Sequence, residues 1–374
     1  MFATAEPLWR WHEKNEQYLA DRLPVANVGV LWSQRNVDFF GRDDAGDLVD
    51  DPWNGWMQAL VRARIPAVPV HVDDVERVTG ELGLELLILP NLAALSDAQV
   101  AAIRKFVAEG GSLIATGMSS LCDEAGRVRP DLALADTLGV SVPAAHAWRD
   151  PARRTAQAKE WMQTYLRLPR DAASRHEVLR GFTDTDLLAF GGVLEPLTLK
   201  QGRASALTFV PALALSPPED VWFRQPETST PGLVCSEGAG ASRVAYLAAD
   251  IDRRFARDQL PDHGDLLASL TRWCLRGELP LQVEAPGLID CRLFKTRRGE
   301  LVLHLLNLNN ANAWKTPVQE LVPTGPVKVR VKRSPSLTAA RALVGSEKLA
   351  QRGRGEWYEV VVPSITDHEV LVFS

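Results

Sequence analysis

The densest set of chemically able side chains in this 374-residue sequence lies in one segment, Ser33-Gln34-Arg35-Asn36-Val37-Asp38-Phe39-Phe40-Gly41-Arg42-Asp43-Asp44. Arg35 and Arg42 offer planar donor forks, and Asp38 and Asp43 offer carboxylates, a mixture suited to sugar hydroxyls. Trp32, Trp53 and Trp56 lie close by in sequence and could lay a flat apolar platform under a sugar ring. The plainer alternative pairs Arg35 with Asp38 internally and sends the tryptophans into a core. Two carboxylate pairs, Asp123-Glu124 and Asp250-Ile251-Asp252, would suit glycoside hydrolysis if opposed at about 5 Å or about 6.5–9.5 Å. Adjacent residues on a strand point opposite ways, so capping and ion pairing are the simpler use for them. His71 and His263 each lack a second ligand at helical or strand spacing, and no metal site is expected. Gly110-Gly111 closes a helix rather than opening one, unlike a dinucleotide fingerprint, so no cofactor is expected either.

The elements that must position these residues alternate. A helix is expected over 7–23, with Pro7 in its first turn, Leu8, Trp11, Tyr18 and Leu19 on one face and Pro24 as its stop. Short apolar runs at 25–33, 67–72, 84–90 and 112–117 read as strands buried on both sides. Between them lie a polar loop (34–47), helices at 53–64 and from Asp73 onward, and a helix over 96–111 that opens with a Ser96–Gln99 capping box. Strand and helix in alternation with short links predict a parallel sheet with right-handed crossovers. The stretch 140–240 is less regular. Helical pieces near 154–166 and strand-like runs at 191–199 and 205–215 suggest an insertion at one end of the sheet. A strand at 241–251 and a helix at 263–277 close this part. Beyond Glu278 the hydrophobic period becomes two, as in VKVRVKR, which predicts an antiparallel sheet or sandwich with one solvated face. The expected division is an N-terminal helix (1–24), an α/β domain (25–277) and a β-sandwich domain (278–374).

Composition narrows the function classes. A net charge of −5 gives no basic face for nucleic acid. No apolar run reaches the length of a membrane span, and the first residues do not read as a signal peptide. The four cysteines (Cys122, Cys235, Cys274, Cys291) form no CxxC pair, which fits reduced thiols and a cytoplasmic protein.

The phrases LILPNLAALSDAQ, FVAEGGSLIATG and DEAGRVRPDLALADTLGV, with VAYLAADIDRRF and DHGDLLASLTRW further on, resemble the trimerisation domain of family 42 β-galactosidases. That domain has a class I glutamine-amidotransferase-like, flavodoxin-like fold. The tail, PLQVEAPGLIDCRLFKTRRGELVLHLLNLNN with TGPVKVRVKR, is similar to the small β-domain that follows it in related glycoside-hydrolase-like proteins. RWHEKNEQYL, WSQRNVDFFGRDD and ALVRARIPAVPVH extend the likeness over nearly the whole chain. The resemblance implies self-association as a trimer and a carbohydrate setting. It also implies a catalytic (β/α)₈ barrel, which this sequence does not hold, because a barrel takes about 250 residues and the first buried strand begins near residue 25. The chain is therefore expected to be a C-terminal piece or a subunit whose barrel is supplied elsewhere. Amidotransferases carry a cysteine at the turn after the fourth strand. Here that turn reads Ala115-Thr116-Gly117-Met118-Ser119, with Gly117 about where the thiol would stand, Ser119 as a conceivable substitute and Cys122 five residues on. No His-x-Glu pair supplies a base, and a nucleophile without a base is not a site. The expectation is an accessory, oligomerising module without its own catalysis. The alternatives are a stand-alone hydrolase or amidotransferase-like enzyme on a small carbohydrate or amide, and a pure carbohydrate-binding module.

Overall fold

The computed structural model describes residues 2–142, 164–192, 194, 197–211, 217–309, 320–332, 337–345 and 349–374. Two compact units divide the chain: Met1–Asn27, Leu60–Val68 and Gly277–Ser374 form one, and Val28–Ala59 with Pro69–Arg276 form the other.

The first unit joins the two ends of the sequence. Helix α1 spans Phe2–Leu19 with Pro7 inside it, and strand β1 is Arg22–Pro24. The expected helix over 7–23 is thus shifted toward the N-terminus. Asp21, at φ +48°, turns the chain, and residues 22–24 extend to pair antiparallel with Phe294–Thr296. Pro24 lacks an N–H, and the edge of a sheet is where a strand tolerates that loss.

From Val28 to Thr116, where residues 60–68 count with the first unit and the rest with the second, β2 is Val28–Trp32, α2 Asp51–Ala63, β3 Ala67–His71, α3 Val75–Leu82, β4 Leu86–Leu89, α4 Asp97–Ala108 and β5 Ser112–Thr116. The segment read as a polar loop forms two π-helical turns, Asn36–Gly41 and Gly46–Asp50, with a 3₁₀ turn, Arg42–Asp44, between them, and runs into α2. α4 carries the expected capping box: Ser96 Oγ accepts from Gln99 N, and Gln99 Oε1 accepts from Ser96 N. α5 is Ala135–Leu138, and β6 (Val140–Ser141) pairs with β9 (Thr198–Leu199) as a ribbon. β7 (Tyr165–Arg167), β8 (Leu187–Ala189), β10 (Ser205–Val210), β11 (Pro231–Glu237) and β12 (Arg243–Leu247) follow, then α6 (Ile251–Asp258) and α7 (Pro261–Leu275). The helical pieces expected near 154–166 fall outside the described residues up to 163, and Tyr165–Arg167 is strand. Of the runs at 191–199 and 205–215, residues 193, 195, 196 and 212–215 also lie outside.

One nine-stranded sheet results, in the order β3-β2-β4-β5-β12-β11-β10-β7-β8. β2, β4, β5 and β12 pair in parallel, and every residue of β4 and β5 is buried. The wholly parallel sheet expected from sequence is corrected to a mixed one. β11, β10, β7 and β8 extend it antiparallel beyond β12. Only five residues separate Glu237 from Arg243, too short a link for the crossover that parallel pairing demands.

The C-terminal strands of the first unit are β13 (Leu281–Glu284), β14 (Ile289–Thr296), β15 (Leu301–Asn307), β16 (Val327–Lys332), β17 (Ala340–Ala342), β18 (Ala350–Arg354), β19 (Trp357–Val362) and β20 (His368–Phe373). They form two antiparallel sheets, β1-β14-β15-β20-β17 and β13-β16-β19-β18, closed over a shared core that includes Leu281, Leu303, Val329, Val360 and Leu371. VKVRVK alternates as its pattern demands, with Val327, Val329 and Val331 inside and Lys328 and Lys332 outside. The outer face of the five-stranded sheet is not solvated, however. Val302, Val370 and Val372 pack there against Tyr18 and Trp11 of α1, whose indole Nε1 donates to Leu343 O at 2.9 Å.

Candidate functional site

After β2 the chain passes to β3 on one side, then crosses to β4 on the other. Ligands of open α/β sheets bind outside the carboxyl ends of strands at such a reversal, because the two departing connections leave a crevice between them. A cavity of about 550 Å³ lies there, walled by the ends of β2 and β4, by Pro69 of β3 and by the start of α2. Its flat surfaces come from Trp32, Trp53, Pro69 and Pro90, and its polar groups include Ser33, Asp50 and Asn54. Trp32 is 42% exposed and stands edge-on to the His71 ring, with centroids 4.7 Å apart. His71 is itself fixed, since its Nδ1 accepts from Asp73 N at 3.3 Å.

Asn36 holds the wall in place. It is buried, its Oδ1 accepts from Ala93 N and Ala94 N at 3.0 Å each, and its Nδ2 donates to Asn91 O. Trp53 Nε1 is buried with no hydrogen-bond partner. Ser33 is 3% exposed.

Of the residues singled out by sequence, Trp32 and Trp53 meet at this cavity. Arg35, Asp38, Arg42 and Asp43 are exposed and do not line it. Asp38 accepts from Gln34 Nε2 at 3.0 Å, and Arg42 Nε donates to Phe39 O at 3.1 Å. Trp56 is fully buried in the core. Asn36, Asp50, Asn54 and the Asn91 amide carry roles that residue type alone did not announce. The one signal for Asn91 is its place straight after Pro90 at a strand end, where asparagine tolerates φ of +44°.

The turn after β5 enters the left-handed region of the backbone. Gly117 has φ +54°, and a Cβ there would stand 2.5 Å from Asn91 Oδ1. That oxygen is already committed, accepting from Met118 N at 2.8 Å. Ser119 is fully buried. Its Oγ lies 2.7 Å from Thr116 O and 3.0 Å from Leu89 O and accepts from Leu92 N at 3.0 Å, so all of its partners are backbone. Burial pushes the Cys122 thiol up to about 11, and Cys235 and Cys291 up to about 12, far from thiolates at neutral pH.

The carboxylates belong to separate networks. Asp252 is buried at the start of α6, where Thr116 Oγ1 lies 2.5 Å from its Oδ2 and Arg253 N donates to its Oδ1. Burial raises its pKa to about 7 against the pull of those bonds. Asp250 pairs with Arg253 at 2.6 Å. Asp123 accepts from the backbone of Arg127 and Ala125 and from Arg127 Nε at 2.7 Å, chiefly the Arg127 backbone bond holding its pKa low. Glu124 is half-buried beside it. His263 donates from Nε2 to Ala189 O at 2.7 Å, and burial lowers its pKa, so it is a neutral core imidazole. Among the described residues no group of three or more His, Cys, Asp or Glu could hold a metal ion, and no helix is long and apolar enough to cross a membrane.

Comparison with curated proteins finds no match. Among solved structures, α-L-fucosidase isoenzyme 2 from Paenibacillus thiaminolyticus superposes with a TM-score of 0.69 at 16% identity, over 97% of this chain and 50% of its own. The β-galactosidase from Bacillus circulans sp. alkalophilus gives 0.60 at 14% identity over 97% of this chain and 44% of its own. The cold-adapted β-galactosidase from Rahnella sp. R3 gives 0.55 at 15% identity over 94% and 41%. This chain spans half or less of each of these structures, and at such identities the likeness is one of fold. The family model of the beta-galactosidase trimerisation domain matches residues 52–167, the stretch that holds LILPNLAALSDAQ and FVAEGGSLIATG, and the chain is glycoside-hydrolase-like in that sequence and in its fold.

Proposed function

We propose that this chain is an accessory, self-associating module of a glycoside-hydrolase-like assembly, with no catalytic centre of its own. The observation that carries the reading is the turn after β5. An amide oxygen occupies the space a side chain at position 117 would need, and the nearby hydroxyl of Ser119 is spent on backbone. The parallel core has the strand order 2-1-3-4-5 when numbered by its own strands, which supports a flavodoxin-like, amidotransferase-like scaffold for residues 25–277, with 278–374 as its β-sandwich companion. The match to a trimerisation domain supports a trimer. The β-galactosidases and the fucosidase that share the fold support a carbohydrate setting, with a barrel domain or subunit as the catalytic partner. A cytoplasmic location fits the four free cysteines, three of them buried.

Two measurements on the full chain test this. Aryl β-galactosides, aryl α-fucosides and glutamine should all remain unhydrolysed, and sedimentation should show a trimer. Turnover that falls with Ser119→Ala or Asp123→Asn would overturn the non-catalytic reading in favour of a stand-alone hydrolase. A monomer at all concentrations would overturn self-association.

A further inference from the structure

The geometry points to a lid: residues 37–47 cap the cavity at the ends of β2 and β4, are pinned at both ends, and rewind to close Phe39 onto Trp32. This goes beyond the accessory reading and holds whether or not the chain self-associates.

The winding of the segment is unusual. The Arg42 N–H reaches back five residues to Val37 O, and the Asp51 N–H five residues to Gly46 O, while the Ala45 N–H reaches only three, to Arg42 O. Turns of the five-residue kind mostly occur singly and frequently mark functional sites. Here two flank a tighter one. Arg42, at their junction, has φ +49° and ψ −128°. That is the conformation of the first central residue of a type II′ turn, which glycine dominates because a Cβ crowds the backbone there. An arginine in it stores strain, and such an outlier persists only where its surroundings hold it.

The holding contacts lie at the ends. Asn36 is fixed to Asn91 O, Ala93 N and Ala94 N, and Asn91 Nδ2 holds Leu48 O. Between these pins Arg42 Nε donates to Phe39 O, within the segment itself, and Asp43, Asp44, Gly46 and Asp47 are exposed. Gly126 supports the middle from outside: Phe39 O fills the space that a side chain at 126 would need.

The lid also has a place to close. Phe39 and Trp32 are each 42% exposed, and Trp32 lines the cavity together with Val37, two residues before Phe39. Rewinding from five-residue to four-residue bonds shifts the segment by one residue and turns it by about 100°, which swings Phe39 out of solvent toward the indole. Closure relieves Arg42 and takes two aromatic rings out of water, against the cost of breaking the wide bonds. The form described here is the open one.

Hydrogen exchange of the full chain, followed peptide by peptide, tests the lid, with α4 as the reference for global stability. Residues 37–47 should exchange at least about 100-fold faster than α4, because rewinding breaks their bonds and leaves the sheet intact. Arg42→Gly relieves the open form and should slow that exchange about 5- to 10-fold. The exposed bond to Phe39 O that it loses is the smaller effect, since water replaces it. Phe39→Ser removes the apolar gain on closing and should slow exchange about 3- to 10-fold. Trp32→Ala, outside the lid, should slow it by a similar factor, a coupling that simple fraying does not give. Exchange of 37–47 as slow as that of α4 overturns the lid. So does an Arg42→Gly rate equal to or above the parent's. Rates in Phe39→Ser and Trp32→Ala that match or exceed the parent's, with α4 unchanged, mean that the segment frays without closing and overturn it as well.

Discussion

Asn91 is the residue on which three segments converge. Its N donates to Thr116 Oγ1 at 2.9 Å, its Nδ2 donates to Leu48 O at 2.8 Å and its Oδ1 takes the Met118 N–H. Gly117 must stay glycine because of it. Gly117→Cys places a Cβ against that oxygen in a left-handed backbone, so it should cost roughly 1–3 kcal/mol in urea unfolding and bring no glutaminase activity. Thr116 passes the relay on to Asp252. With its pKa raised to about 7 in the folded protein and near 3.8 when unfolded, Asp252 contributes stability that is complete below the unfolded value and is lost as pH rises through 7. Asp252→Asn keeps the shape and a hydrogen bond to Thr116. The stability of the parent relative to this variant should therefore fall between pH 5 and 8, by an amount on the order of 2–4 kcal/mol. A parallel pair of curves would show that the carboxyl does not titrate there. None of this relay is legible in the sequence, since amides and hydroxyls that bond to backbone follow no spacing. The indoles of Trp32 and Trp53 were legible as candidates because large aromatics near a strand end are conspicuous, whereas nothing in residue type separates them from Trp56, which fills the core.

Elements with a strong period or a local cap could be read directly. The buried runs of β4 and β5 and the Ser96–Gln99 box needed no tertiary context. Ser96→Ala should lower stability by about 1 kcal/mol, measurable by thermal unfolding. α1 could not be bounded in the same way, because its end is set by the pairing of Arg22–Pro24 with β14, a partner about 270 residues away. β7 and β8, three residues each, carry too little pattern to announce that they lengthen the sheet. The link between α1 and the five-stranded sheet also predicts acid sensitivity. His304 on β15 lies 2.5 Å from Arg22, and burial, with Arg22 and then His368 adding to it, lowers its pKa to about 4. Its contribution is present above the unfolded value of about 6.5 and is lost as pH falls through 4. His304→Gln retains an acceptor for Arg22 and should flatten the decline in stability between pH 6.5 and 4. An unchanged acid limb would place the sensitivity elsewhere.

At the scale of the whole molecule, the unit that contains the C-terminal sandwich also contains residues 1–27. Val302, Val370 and Val372 are buried because Trp11 and Tyr18 cover them. A product limited to 277–374 should bind hydrophobic dyes and aggregate, and fusion of residues 1–27 to it should reverse this, as read by light scattering. Equal solubility of the two products would mean that α1 is dispensable. The consequence extends to biosynthesis. The ribosome releases α1 and β1 well before β14, β15 and β20, so this helix must wait, with its indole and phenol uncovered, while some 250 residues between them are made. The central unit can close in that interval. Translation speed and chaperone access while residues 277–374 are made, more than while α1 is made, should then decide how much of this unit reaches its native state.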